Sequence, residues 1–575
     1  MSAPAVQQVA PVEDRSQSHS LDEEKNGKTT TEVNADHSGN ESEDDGTEPQ
    51  NGVKKIQAIT SAWTYQALIV TYVLIWVTSY THSMQQQMNT QLAPYVTSAF
   101  KRHGLTATTG VVSSLAGGIS QLPLAKIINI FGRMEGYILA HLLCCLGLLM
   151  MAVCQNVETY AAAQVFWSVG SGGIGYLHTV IISDTTSVRN RMVIFTLNST
   201  AYIANAFAGP VIAQLFYKKS SFRWAFGSFA IIFPVFGLLI TGMLWFNLKK
   251  AYKIGKGPEL TKSGRTFQES VLFYLREFDV VGMLLIMWGF SLLLLPFSLV
   301  RYTTKGWAAG HIIAMIILGV ILLVAFGFWE RLYAATPLVP WKNLKDRTIL
   351  GSAAVALVIS LSFSSWDSFF SSYLQVVHRQ TISQAGFILN IYTIASCTWG
   401  PIVGLLIRQT NRYKWIAISA IPVACLSTGL LIHFHPKAVS AGTIIICEQL
   451  AVMAVVKHNE ISVMLALIGL ATSVGRSVGR AISGGIWTNE LPQFLAKYLP
   501  EENQADLMTI YGDITVQLKA AWGSPVRNAI VRAYGDTQRH MVICGAAFMP
   551  LALGCVFLWK NVIVSKVHQT KGQVW

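Results

Sequence analysis

Charged residues are scarce in this 575-residue chain: they make up only 13% of it, against 52% hydrophobic residues. That is roughly half the charge of an ordinary soluble domain, too little to cover several globular surfaces in water, so a soluble enzyme is excluded and lipid is implied as the solvent. Cysteine offers no external scaffold, because all eight (Cys144, Cys145, Cys154, Cys397, Cys425, Cys447, Cys544 and Cys555) fall inside apolar runs. Catalytic motifs are missing too. No Gly-Lys-Ser/Thr phosphate loop, His-Glu-x-x-His or Gly-x-Ser-x-Gly occurs, which removes ATP-driven pumping and hydrolysis. His433 and His435 come nearest to a metal pair but have no third ligand close in sequence. No catalytic residue, metal site or resident cofactor is therefore expected. A signal-peptide core is also lacking, since the first apolar run begins near Thr64. The two glycosylation-type matches fall at Asn40, in the polar tail, and at Asn198, inside an apolar run.

What is present is a succession of apolar runs bounded by charge, Pro, Gly or Asn. They predict fourteen spans, at 64–82, 107–128, 136–154, 159–182, 192–216, 225–247, 280–299, 310–328, 349–372, 382–406, 414–433, 441–456, 461–487 and 541–559. At ~20 residues per membrane helix, fourteen spans take about 280 residues, close to half the chain. The fold class is an all-α polytopic membrane protein embedded in a lipid bilayer.

The net charge of +13 hides two opposed regions: twelve carboxylates against three cations leave residues 1–52 at −9 and the remainder at +22. A tail rich in Ser, Thr, Glu and Asn cannot bury enough apolar surface to offset its ordering entropy, so residues 1–60 are expected to be disordered. The basic excess sits in short gaps between spans, where it reports topology and not nucleic-acid binding. With a cytosolic amino terminus the cytosolic gaps and termini hold 24 Lys and Arg and the external ones 14. This bias places both termini in the cytosol.

The connector after the second span reads Ala125-Lys-Ile-Ile-Asn129-Ile-Phe-Gly132-Arg133, and the one after the tenth reads Gly404-Leu-Leu-Ile-Arg408-Gln-Thr-Asn411-Arg412. Their similarity divides the chain into two related six-helix bundles, 61–250 and 349–565, with a basic linker at 251–279 and two inserted helices in 280–348, a 6+2+6 arrangement. Residues 566–575 form a second cytosolic tail. The first connector resembles the major facilitator motif Gly-x-x-x-Asp-x-x-Gly-Arg, with Ala125 and Asn129 in place of its first Gly and its Asp. Further stretches resemble the fungal siderophore-iron transporters of that superfamily: Phe222-Arg-Trp-Ala-Phe, Glu277-Phe-Asp279-Val-Val-Gly282, Leu292-Leu-Leu-Leu-Pro296, Gln384-Ala-Gly386-Phe-Ile-Leu-Asn390-Ile-Tyr392 and Ser483-Gly-Gly-Ile-Trp487-Thr-Asn489. The resemblance covers roughly 60–565. It implies a monomeric symporter that uses protons to import an intact ferric siderophore of the hydroxamate type across a plasma or endosomal membrane. Iron would travel inside its ligand. The last external loop, 488–540, would help to capture it, an ordinary folded cap being the alternative.

Polar groups within a bilayer are costly unless they meet a partner or a water-filled space, so their positions are functional candidates. Asn198, Tyr202 and Asn205 follow i, i+4, i+7 spacing on one helix face, with Tyr202 ~15 Å from the cytosolic end; they line a substrate path or bond helices together. The ninth span crowds seven serines around Trp366 and Asp367, where small hydroxyls leave room and Trp366 offers an aromatic wall. The tenth adds Asn390 and Tyr392. Proton coupling needs a carboxylate able to change charge, and Glu448, Asp367, Arg476 and Arg480 fall at comparable depth, Glu448 ~10 Å inside. A static Glu448–Arg476 ion pair is the competing reading. Gly209-Pro210 resembles an antiporter-type element and suggests a hinge. Asn129, Gly132, Arg133, Asp184, Arg189 and Arg191 are read as a cytosolic latch. Two other functions stay open: a proton-coupled exchanger of drugs or glutathione-like peptides, and a non-transporting sensor with the acidic tail as its signalling arm.

Overall fold

The computed structural model describes residues 51–257, 266–300, 303, 305–334, 336–338, 345–430, 440–453, 455–456 and 460–563. Among these, every regular element is a helix. This suits a chain in lipid, where no water is available to satisfy backbone groups and a helix pairs them internally.

Helix α1 (Asn51–Ala62) comes first and turns Ile56 and Ile59 inward. Ten of its residues belong to the segment expected as tail; Lys54 and Lys55 give it a polar side and its apolar side finds a partner in the bundle. Thr64 then caps α2 (Tyr65–Ala99) through its side chain. This helix runs seventeen residues beyond the expected end at 82, because Ser83, Gln85, Asn89 and Gln91 are buried against neighbouring helices and do not form a loop. The first bundle continues with α3 (His103–Ile130), α4 (Arg133–Val153), α5 (Val157–Thr185), α6 (Val188–Ser199), α7 (Ala201–Lys219) and α8 (Phe222–Lys253). Here α4 packs between α5 and α8, and α2 against α7 and α8.

After α9 (Phe267–Glu277) come the inserted helices α10 (Val280–Leu299) and α11 (Gly310–Leu332). They cross at Gly289 and Gly319, where a Cβ on Gly319 would sit 2.7 Å from the Leu293 backbone nitrogen. Of the α11 residues only Ile312, Gly319 and Glu330 are buried, so this helix is peripheral and gives most of its surface to lipid. The pair is anchored at one end by Lys126, whose Nζ donates to the carbonyls of Glu277 and Thr336, 2.7 Å each.

The second bundle consists of α12 (Arg347–His378), α13 (Ile382–Thr410), α14 (Lys414–Leu430), α15 (Ser440–Met453), α16 (Ile461–Tyr498) and α17 (Pro525–Phe557). Its tightest contact joins α12 to α16: a Cβ on Gly475 would lie 2.1 Å from the Leu357 carbonyl oxygen, so only Gly lets the backbones meet. The two bundles meet along α3 with α16 and α7 with α13.

Among the described residues, eleven helices are long and apolar enough to cross a membrane. Each of the fourteen expected spans contains a helix, but three do not meet that standard. The span at 192–216 is split at Thr200, where Thr200 N bonds to Leu197 O and Ile203 N to Thr200 O, tightening the turn. Helices α14 and α15 have 17 and 14 residues among those described.

Candidate functional site

The bundles are joined at both ends of their interface. At one end Asn129 Nδ2 donates to Ser462 Oγ (3.1 Å) and Tyr176 OH to the Ser462 carbonyl (2.8 Å), while Gly404 abuts Met192. At the other, Tyr95 OH donates to Gln375 Oε1, Ser372 Oγ is hydrogen-bonded to His103 Nε2 (3.3 Å), and the Ile514 amide donates to Ser98 Oγ (3.3 Å).

Between these ends the polar candidates converge. Tyr392 of α13 lies within electrostatic reach of Glu448 (α15), Arg476 (α16), Asp367 (α12) and Cys397 (α13), and Tyr202 of α7 reaches the same Cys397. Arg476 has protein on every side yet keeps exposed surface, so its guanidinium faces an internal space. Among the described residues it makes no ion pair; Tyr392 and Asp367 are the groups that act on it. The static Glu448–Arg476 pair of the competing reading is absent among the described residues. Glu448 is buried and its Oε2 has no hydrogen-bond partner among them. Arg480, one turn along, is committed: its Nη1 donates to the Gly110 carbonyl (2.7 Å) and Ser114 Oγ (2.6 Å) of α3 in the first bundle. Five guanidinium donors on Arg476, two phenols and a buried carboxylate can hold an oxygen-rich ligand and exchange a proton.

Other candidates sit at contacts between elements. Asn205 Nδ2 donates to the Tyr80 carbonyl (2.6 Å) and to Ser83 Oγ, tying α7 to α2, and Asn390 Nδ2 donates to the Ala206 carbonyl (2.9 Å), tying α13 to α7. Asn198 is half-buried, with its Oδ1 unbonded among the described residues. Gly209 closes on Gln87 of α2, and Pro210 lies against Gly386 of α13, so Gly209-Pro210 stands where the bundles touch while α7 stays helical through it. Trp366 is turned away from the internal space. It packs edge-on against Phe363 (5.1 Å) and Phe370 (5.3 Å), its carbonyl accepts from Gln538 Nε2 (2.9 Å), and it is only 6% exposed. The neighbouring serines bond within the bundle, as when Ser362 Oγ donates to the Gly545 carbonyl (2.7 Å).

The latch residues come together around Arg133. Its Nε donates to Asp184 Oδ2 (2.9 Å), its Nη1 to the Ile128 carbonyl (3.0 Å) and to Asn129 Oδ1 (3.3 Å). Asn129 thus spans Arg133 and the second bundle, a role its amide fills where the motif has a carboxylate. Gly132 begins α4 at φ +132, a conformation that favours glycine, and a Cβ there would strike Glu135 Oε2 at 2.4 Å. Glu135 pairs with Lys55, which fastens α1 to this connector. Arg191 is fully buried and donates to the Ser183 and Thr186 carbonyls (3.2 and 3.3 Å). The Arg189 side chain, His433 and His435 lie outside the described residues.

The expected loop at 488–540 is mostly helix: the ends of α16 and α17 enclose short helices at Leu507–Gly512 and Ile514–Lys519. Ile510, Tyr511, Ile514 and Tyr534 are buried within it, and Arg527 Nη2 donates to the Val376 carbonyl (2.8 Å), so it is a folded cap. Trp522 remains half exposed between Arg379 and Arg527.

Reasoning from sequence overlooked the polar face of α2, at positions 78, 82, 85 and 89, and the three histidines of the first bundle, His82, His141 and His178, all buried. The 4–3–4 spacing was visible in the sequence but lay across the point where the first span was expected to end.

The Major Facilitator Superfamily model matches residues 75–524. The chain is 42% identical over 540 residues to an MFS siderochrome iron transporter 1 of Ajellomyces capsulatus, covering 91% of this chain and 92% of the relative. It is 38% identical to MFS siderochrome iron transporter D of Aspergillus fumigatus over 91% of this chain and 90% of that one. It is 36% identical to the siderophore iron transporter mirB of Emericella nidulans over 92% and 89%. Among solved structures, a bacterial homologue of the human lysosomal transporter Spinster, inward-facing and occupied, superposes with a TM-score of 0.53 at 13% identity, covering 88% of this chain and 98% of its own; the likeness is one of fold.

Proposed function

Because the chain belongs to the Major Facilitator Superfamily and to its siderochrome iron transporters, a family of carriers and not enzymes, we propose that it imports intact ferric hydroxamate siderophores in symport with protons, by alternating access. The observation that carries the reading is Arg476: an arginine with no ion partner among the described residues, facing an internal space between the bundles beside Tyr392, Asp367 and a buried Glu448. A ferric trihydroxamate presents oxygens that accept from a guanidinium or a phenol, and its iron needs no ligand from the protein. A buried carboxylate next to that site can take and release the coupling proton. In this reading the protein works as a monomer in the plasma or endosomal membrane with both termini cytosolic, as the Lys and Arg distribution supports.

The test is uptake of radio-iron-labelled ferrichrome, ferrioxamine B and a fusarinine-type siderophore by iron-starved fungal cells lacking their own carriers. Inward accumulation that collapses with the pH gradient is expected for at least one of them. Outward movement would favour the exchanger, and no movement of any would sink the transport reading.

Two substitutions separate site from scaffold. Tyr202→Ala should raise the half-saturation concentration while surface expression stays near normal, since a half-buried side chain at the internal space loses ligand contact area. Trp366→Ala should instead cost on the order of 3–5 kcal/mol of stability, because it empties a packed aromatic cluster. Melting temperatures in detergent and saturation curves in cells would read the difference; an unchanged melting temperature for Trp366→Ala would return it to the substrate path.

A further inference from the structure

Helices α2 and α5 run antiparallel through the first bundle and face each other with polar groups at successive turns. Asn89 and Gln164 exchange amide hydrogen bonds, Gln164 Nε2 to Asn89 Oδ1 being 3.0 Å, and Gln164 also donates to Tyr160 OH (2.7 Å) near the start of α5. One turn along, Trp167 Nε1 donates to Gln85 Oε1 (2.7 Å), and the next turn pairs His82 Nε2 with Ser171 Oγ (2.7 Å). The ladder ends at His178. Its Nδ1 meets Ser79 Oγ (3.1 Å), and its Nε2 meets both Thr78 Oγ1 (3.3 Å) and Tyr137 OH (3.0 Å). From residue 89 to residue 78 the ladder rises about 16 Å, half the thickness of a bilayer core.

The partners of His178 are all hydroxyls, and a hydroxyl can donate or accept by rotating its hydrogen. Either neutral tautomer and the imidazolium can thus be hydrogen-bonded by rotating these hydroxyls. The ionisable groups that face His178 are His82 from α2 and Tyr137 and His141 from α4; α8 contributes Phe233 against His82 and His141 and Gly237 against His141. Three imidazoles this close cannot all carry charge, so the cluster holds one proton more readily than two or three.

We propose that His178, with His82, is a proton-binding site of the first bundle, separate from the carboxylates of the second. The inference rests on the symport reading above. A proton reaching this cluster adds to the unprotonated ring nitrogen of His178, giving an imidazolium, and leaves from the same nitrogen when the carrier has reoriented. Coupling is built into α5. Two residues before His178, on nearly the opposite face, Tyr176 donates to the Ser462 carbonyl of the second bundle, so a shift of α5 on protonation strains the joint between the bundles.

The full-length protein in proteoliposomes provides the test, with labelled ferrichrome, ferrioxamine B and a fusarinine-type siderophore as probes. His178→Gln and His82→Gln should lower accumulation driven by a pH gradient at least about tenfold while counterflow exchange stays within about twofold, because exchange needs no net proton movement. Folded variants that accumulate like the wild type would overturn the proton site while leaving the symport reading intact. Equal loss of exchange and accumulation would overturn it too, assigning the ladder to helix adhesion alone. Wild-type protein that accumulates none of the probes would bring down both readings. Should the glutamine variants fail to fold, Tyr137→Phe removes a single oxygen beside His178 and should move the pH of half-maximal accumulation by about half a unit or more; an unmoved profile rejects the site.

Discussion

Glu448→Gln is expected to abolish accumulation driven by a pH gradient, a loss of at least about tenfold, while counterflow exchange of the same siderophore continues. The amide mimics the protonated acid and cannot release a proton, so the loaded carrier still reorients but gains nothing from the gradient. The alternative, a static ion pair locking α15 to α16, loses its ground because Arg476 is not within ion-pairing distance of Glu448 and Glu448 Oε2 is unbonded among the described residues. A structural carboxylate would show the opposite pattern. Its neutral variant would accumulate siderophore normally or would fail to fold, and gradient-driven uptake at wild-type level in a well-expressed Glu448→Gln protein would end the proton role for this residue. Asp367 would then be the remaining carboxylate within reach of Tyr392.

A large effect on stability is expected at the Arg133–Asp184 pair, whose side chains are only 5% and 6% exposed. Asp184→Ala leaves a buried guanidinium short of its counter-charge, which costs ~3–5 kcal/mol and should sharply reduce the yield of monodisperse protein. Arg133→Met combined with Asp184→Leu removes both charges and should recover much of that yield. It should not recover transport, since Arg133 also holds Asn129, and Asn129 reaches Ser462 in the other bundle. Full transport by the double variant would show that the pair serves folding alone.

The all-helical fold, its polytopic character and the superfamily were legible because period, hydropathy and connector motifs act over tens of residues. Helix ends were not. Ser83 to Gln91 reads as a loop by polarity, yet the backbone continues as helix, and Ser83, Gln85 and Asn89 meet partners on other helices that no local rule foresees. Arg133 and Asp184 were legible as partners from motif and charge. The separation of Glu448 from Arg476 was not, because helical depth says how far along an axis a group lies and nothing of which way it turns. Trp366 illustrates the same limit: an aromatic among serines looks like a wall beside a space, but Gln538 and Gly545 of α17 occupy that space.

The bundles are tied at Asn129–Ser462 at one end and at Tyr95–Gln375 at the other. A siderophore that enters past the Tyr95–Gln375 tie waits for that end to open, so its association rate falls below the encounter rate by the fraction of time the tie is broken. The apparent dissociation constant is the intrinsic one divided by the same fraction, so the apparent affinity is reduced by it. Loosening Tyr95 from Gln375 would therefore tighten the measured affinity without changing one contact in the site, and equally would let the barrier leak.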